Sequence, residues 1–120
     1  MKNDENQKPY DLEDRTFNFA KASRRFVKVL PRTIANIEDV KQFVRPPVRL
    51  GLTTSKPTRE LEKKDFVMKI KICRREAKES GYWLRLLETD EKLEVQRDNL
   101  VGEATELMKI FGAIIRKSEG

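Results

Sequence analysis

Between Asp65 and Leu87 the chain reads DFVMKIKICRREAKESGYWLRLL. Its apolar and small residues recur at Phe66, Ile70, Cys73, Ala77, Ser80, Leu84 and Leu87. That 4-3-4-3 spacing belongs to a helix with one face on a bundle core. No proline interrupts it, and its one glycine, Gly81, lies near the end. At about 1.5 Å per residue such a helix is roughly 35 Å long. Its partners must therefore be long as well.

The flanking sequence supplies them. Leu12, Phe19 and Phe26 recur every seven residues, with Thr16, Ser23 and Leu30 between them and Ala20 and Val27 beside them. This predicts a helix over 11–30, stopped by Pro31, which pushes the residue before it out of helical geometry. Phe17 lies off the stripe. A second helix is expected over 33–44, capped by Thr33 or Asn36. Ile37, Val40 and Val44 should line its inner side, with Ile34 and Phe43 next to them. The third helix is expected over 62–88. Thr89 and Asp90 suit the turn and cap before a fourth over 91–117. Leu93, Leu100, Ala104, Leu107, Phe111 and Ile114 lie on one side of that helix, and Val101, Met108 and Ile115 form a parallel row. Gly102 and Gly112 either weaken it or let another helix approach.

The fold class is therefore all-α, an up-down four-helix bundle. At 120 residues it makes one domain over 10–118, with residues 1–9 as a disordered tail. One stretch breaks the pattern. Pro46 and Pro47 should truncate the second helix, since each lacks an amide donor and clashes with the preceding turn. Residues 46–59, PPVRLGLTTSKPTR, show neither period and are expected to be irregular. Val48, Leu50 and Leu52 would then lie across the groove between the first and third helices.

The chain has no histidine, which removes His-based acid–base catalysis and His-ligated metals. Glu76, Glu79, Glu103 and Glu106 could supply carboxylates, but no enzyme, metal or cofactor is expected. The one cysteine, Cys73, sits on the core stripe and reads as a small buried apolar residue. No apolar run approaches the ~20 residues that span a membrane. The polar N-terminus does not resemble a signal peptide, so the expected location is cytoplasmic.

Charge points to a partner. The net charge is +6, and Lys21 to Arg59 carries ten basic residues against two acidic ones. Such a balance suggests RNA or DNA before a membrane; the alternative is that these side chains solvate helix faces. On the third helix Lys64, Lys71, Lys78 and Arg85 recur every seven residues as a basic edge. With Arg74, and with Arg24 and Arg25 in support, they are the candidate nucleic-acid contacts. Arg75 and Glu79 are spaced for a surface ion pair. A second apolar set, Met68, Ile72, Tyr82 and Leu86, lies away from the core stripe and is the candidate oligomer interface. A protein-interaction module with no nucleic-acid role is the other reading of that face.

KKDFVMKIKICRREAKESGYWLRLLE, followed by EATELMKIFGAIIRKSE, resembles the four-helix bundle family that includes proteins encoded in intervening sequences of bacterial 23S ribosomal RNA genes. YDLEDRTFNFAKASRRFVKVLPRTIANIED resembles its first helix and turn. The likeness covers about residues 10–45 and 60–119. It rests on the Glu76–Ala77 pair, the group Tyr82, Trp83 and Leu84, and the ELMKI run. The resemblance implies a non-catalytic homopentamer. In one branch it also implies binding to nucleic acid and a reverse transcriptase.

The chain departs from that family over residues 46–59, where the family reads close to SSGSVGANYIEANE and continues its second helix. A coding sequence for that string, read from its second base, yields PPVRLGLTTSKPTR at all fourteen positions. Two compensating frameshifts would account for the stretch, and would make Arg49, Lys56 and Arg59 by-products of the shift. On this reading, restoring the family string should raise the melting temperature and the helical content.

Overall fold

The computed structural model describes residues 9–47, 49 and 63–119. The expectations for the tail 1–8, for Val48, Leu50 and Leu52, and for the rest of the stretch to Arg59 lie outside the described residues. Among the described residues four helices have defined bounds: α1 (Pro9–Lys28), α2 (Ile34–Phe43), α3 (Lys63–Leu86) and α4 (Glu91–Glu119). Among the described residues there is no strand.

Helix α1 begins at Pro9 and so includes the last residue assigned to the tail. Proline suits the first helical position, where its missing amide would have no intrahelical partner. Leu12, Thr16, Phe19, Ser23, Phe26 and Leu30 are all buried, as the seven-residue repeat requires. The Thr16 hydroxyl donates to the Leu12 carbonyl at 2.7 Å, which lets a polar group sit in the core. Ser23 Oγ is buried with no hydrogen-bond partner. The helix stops at Lys28, and Val29 and Leu30 bond back to the Phe26 and Val27 carbonyls ahead of Pro31.

The stripes of α3 and α4 meet in the core. Ile70, Cys73, Ala77, Leu84, Leu87, Ala104, Leu107, Phe111 and Ile115 are buried together with the α1 residues. The two helices run antiparallel. A Cβ built on Gly81 would lie 3.7 Å from that of Ala104, while one on Gly112 would lie 3.9 Å from Arg74 Cζ. Gly81 thus sits at the close approach, whereas Gly102 faces open space. Asp90 caps α4 by accepting from the Leu93 amide at 2.9 Å. Helix α1 packs on α4, and the Arg15 guanidinium forks onto Glu103 at 2.7 and 2.9 Å.

Helix α2 packs on α3 with Val40, Phe43 and Val44 inward as the spacing suggests, but rotated so that the two isoleucines turn outward. Ile34 and Ile37 are exposed, and the buried residues are Asn36 and Phe43, with Val40 and Val44 against the core. Thr33 caps the helix, accepting from the Asn36 amide at 3.0 Å. The Asn36 side chain explains the rotation. Its Nδ2 donates to the Pro31 carbonyl at 3.0 Å and the Glu88 carbonyl at 2.9 Å, and its Oδ1 accepts from the Glu88 amide at 2.8 Å. One buried amide therefore joins the α1–α2 turn to the α3–α4 turn.

Helix α2 ends just before the prolines, as expected, but helical structure resumes at them instead of giving way to irregular chain. Helix α2 stops at Phe43 with Val44 as its cap, yet residues 45–47 and 49 are again helical. Pro46 and Pro47 fall in the first turn of this restart, where amides lack intrahelical partners anyway, so the large interior penalty is avoided. Both rings are fully buried. The path from Asn36, beside Glu88, to Arg49, beside Glu76, runs antiparallel to α3.

Candidate nucleic-acid interface

Helix α3 sorts its charges onto two flanks. The flank facing residue 49 carries the carboxylates. Arg49 Nε donates to Glu76 Oε2 at 3.0 Å, and Arg49 Nη2 lies 3.0 Å from Glu76 Oε1 and 3.4 Å from Glu79 Oε1. The Glu76 side chain is only 8% exposed, so this is a largely desolvated charge with a cationic partner. The bond to Glu76 raises the Arg49 pKa above its usual value. Glu79 thus pairs with Arg49, and the Arg75–Glu79 pair expected from spacing does not form.

The opposite flank carries the cations. Lys71, Arg74, Lys78 and Arg85 are all exposed; Arg74 reaches Gly112 of α4, and Lys78 and Arg85 line a groove against α4. Arg85 also lies in the last turn of α3, where the helix dipole favours positive charge. Lys64 lies within α3, but its side chain is outside the described residues. Arg24 and Arg25 are exposed on α1, a helix that packs on α4.

Sequence reasoning missed what α4 adds to this edge. A Cβ on Gly112 would lie 3.5 Å from Arg116 Nη1 and 3.9 Å from Arg74 Cζ and Nε, so two guanidiniums converge there from different helices. Lys109, one heptad before Arg116, is exposed too. The signal in the sequence was the spacing of Gly102, Lys109 and Arg116, which gains meaning only once the antiparallel register of α3 and α4 is known.

Between α3 and α4 a groove of about 210 Å³ opens beside the basic row. Ala77, Gly81, Val101, Ala104 and Met108 form its apolar lining, and Lys78, Tyr82, Arg85 and Thr105 complete it. The Tyr82 ring meets Trp83 edge-on, with centroids 5.4 Å apart. Met68, Tyr82 and Leu86 are exposed and Ile72 is half-buried, so among the described residues the second apolar set has little cover.

Cys73 does not contribute reactivity. It is fully buried, and burial pushes its thiol up to about 12. Thiol reagents should leave the native protein unmodified and label it on unfolding. The raised value implies stability present below the free-thiol range and falling as pH rises through about 9 to about 12. A Cys73→Ala variant should lose that alkaline component, read as a flatter melting temperature against pH.

Glu76, Glu79 and Glu103 are held in ion pairs that join elements, which gives three of the four carboxylates structural partners. Among the described residues no cluster of three or more metal-ligating side chains occurs, and no helix is long and apolar enough to cross a membrane. No family model matches the chain, and no curated protein or solved structure matches it either.

Proposed function

We propose that this is a non-catalytic helical-bundle protein that contacts RNA or DNA through the basic edge of α3. Lys71, Arg74, Lys78 and Arg85 would touch phosphates, with Lys109 and Arg116 of α4 extending the edge. The observation that carries the reading is the convergence of Arg74 and Arg116 over Gly112, beside a row from which the α3 carboxylates are segregated. Like charges brought together on a surface favour a polyanion that neutralises them. The resemblance to the intervening-sequence family points the same way, and would add a reverse transcriptase as a protein partner. Binding of a structured RNA, followed by gel shift, should weaken on the order of a hundred-fold between roughly 50 and 200 mM salt. Salt-independent binding, or none at the low-salt end, would overturn the proposal.

A second reading concerns assembly. Met68, Tyr82 and Leu86 on α3, and Ile34 and Ile37 on α2, are exposed apolar side chains. They support a homo-oligomer, a pentamer if the family resemblance holds, or a protein-interaction module without a nucleic-acid role. Light scattering at micromolar concentration should give a mass above one chain; a clean monomer would count against assembly.

A further inference from the structure

We infer that the groove between α3 and α4 takes one unstacked nucleotide of a single-stranded nucleic acid, its base on the apolar floor and its flanking phosphates on Lys78 and Arg85. The inference rests on the nucleic-acid reading above and narrows it to single strands.

Three features of the groove carry it. Its floor is apolar and open because Gly81 and Ala104 approach closely and bring no large side chain. Its cations are placed in order: Lys78 and Arg85 stand seven residues apart, about 10 Å along the helix axis, with Tyr82 between them. Among the described residues, no aspartate or glutamate lines it. A nucleotide unit has the matching order, a planar ring between two phosphodiesters. Thr105 Oγ1 spends its proton on the Val101 carbonyl at 3.0 Å, so its lone pairs are left to accept from a base amine.

Size and chemistry select the occupant. At about 210 Å³ the groove is smaller than drug-sized clefts, which run to roughly 300–1,000 Å³. It has room for one ring system, whereas an acidic amphipathic helix needs a groove that takes several anchors spaced along its length. A duplex keeps its bases stacked and paired, so it reaches Lys78 and Arg85 but not the floor. A single strand can splay a base onto the floor and against Tyr82.

The test is fluorescence anisotropy with a short labelled RNA, offered single-stranded and as its duplex at one salt concentration. Tyr82→Ala removes the aromatic wall, and Thr105→Phe fills the groove without changing charge. Tyr82 is exposed and Thr105 half-exposed, so both variants should keep the helical circular dichroism of the parent. Each should weaken single-strand binding about ten-fold, the effect of one lost base stack, while duplex affinity stays unchanged. Tyr82→Phe keeps the ring and should keep the affinity. Equal binding of both RNA forms, or variants that alter neither, would overturn this inference and leave salt-dependent phosphate contact standing. Failure of both RNA forms to bind would overturn the two readings together. An acidic helical peptide that binds in a Tyr82-dependent manner, where single strands do not, would also overturn it.

Discussion

Asn36→Ala should destabilise the fold by about 3 kcal/mol and lower the melting temperature by roughly 10 °C. The side chain is 1% exposed and makes three hydrogen bonds to backbone groups of two separate turns. Truncation leaves the Pro31 and Glu88 carbonyls and the Glu88 amide without this partner, and it opens a small cavity. An orphaned buried polar group is destabilising by about 1–3 kcal/mol. Asn36→Asp separates the two causes, since it keeps the shape and the acceptor but removes both donors. It would set a carboxylate beside two carbonyl oxygens, and should be at least as damaging at neutral pH. Thermal melts of the two variants against the parent check this. An Asn36→Ala melting temperature within a degree or two of the parent would mean that the two turns are not joined as described.

Arg49→Ala should be the next most damaging change, at about 2–3 kcal/mol. Removing one partner of a buried ion pair leaves an uncompensated charge, which is destabilising by about 3–5 kcal/mol when burial is complete. Here Glu76 is nearly buried but the Arg49 side chain is 46% exposed, so the lower figure applies. Glu76→Gln keeps the shape and discards the charge, and should be milder. In the double variant Arg49→Ala/Glu76→Gln part of the loss should be recovered, giving a coupling that a double-mutant cycle measures. Additive effects would show that the ion pair is not formed in solution. The pair also bears on the origin of residues 46–59. Exchanging that stretch for SSGSVGANYIEANE places serine at position 49, so the expected gain in helix is opposed by a stranded Glu76. Sequencing the gene in both frames is the direct test of the frameshift itself.

The three long helices were legible because their apolar residues keep one period without interruption. Phe19, Phe26, Ile70, Ala77, Leu84, Leu107 and Phe111 occupy the core that the spacing assigns. Helix α2 was legible in extent and in its inward Val40, Phe43 and Val44, but not in its rotation, which exposes Ile34 and Ile37. Its ten residues give the period little length, and the residue that fixes its rotation is Asn36, a polar side chain that a hydrophobic pattern discounts. The prolines follow the end of α2 at Phe43, but their first-turn tolerance lets helical structure restart, and their rings bury like other apolar groups. Arg49 looked like surplus charge because its partners, Glu76 and Glu79, are distant in sequence. At the candidate interface Lys71, Arg74, Lys78 and Arg85 were visible as a row on one helix. Arg116 was not, because it joins the row across a helix pair whose register the sequence does not state.

The central claim is that the α3 edge meets phosphates. The salt dependence of nucleic-acid binding tests it residue by residue. Log affinity against log salt should be measured for the parent chain and for the triple variant Arg74→Gln/Lys78→Gln/Arg85→Gln. These side chains are exposed, so the helical circular dichroism should be unchanged. Each lost phosphate contact should flatten the slope by about 0.9 on a duplex or about 0.7 on a single strand. The triple variant should therefore bind more weakly at low salt, with a slope shallower by about 2 to 3. A folded triple variant with the parent's slope and affinity would contradict the account.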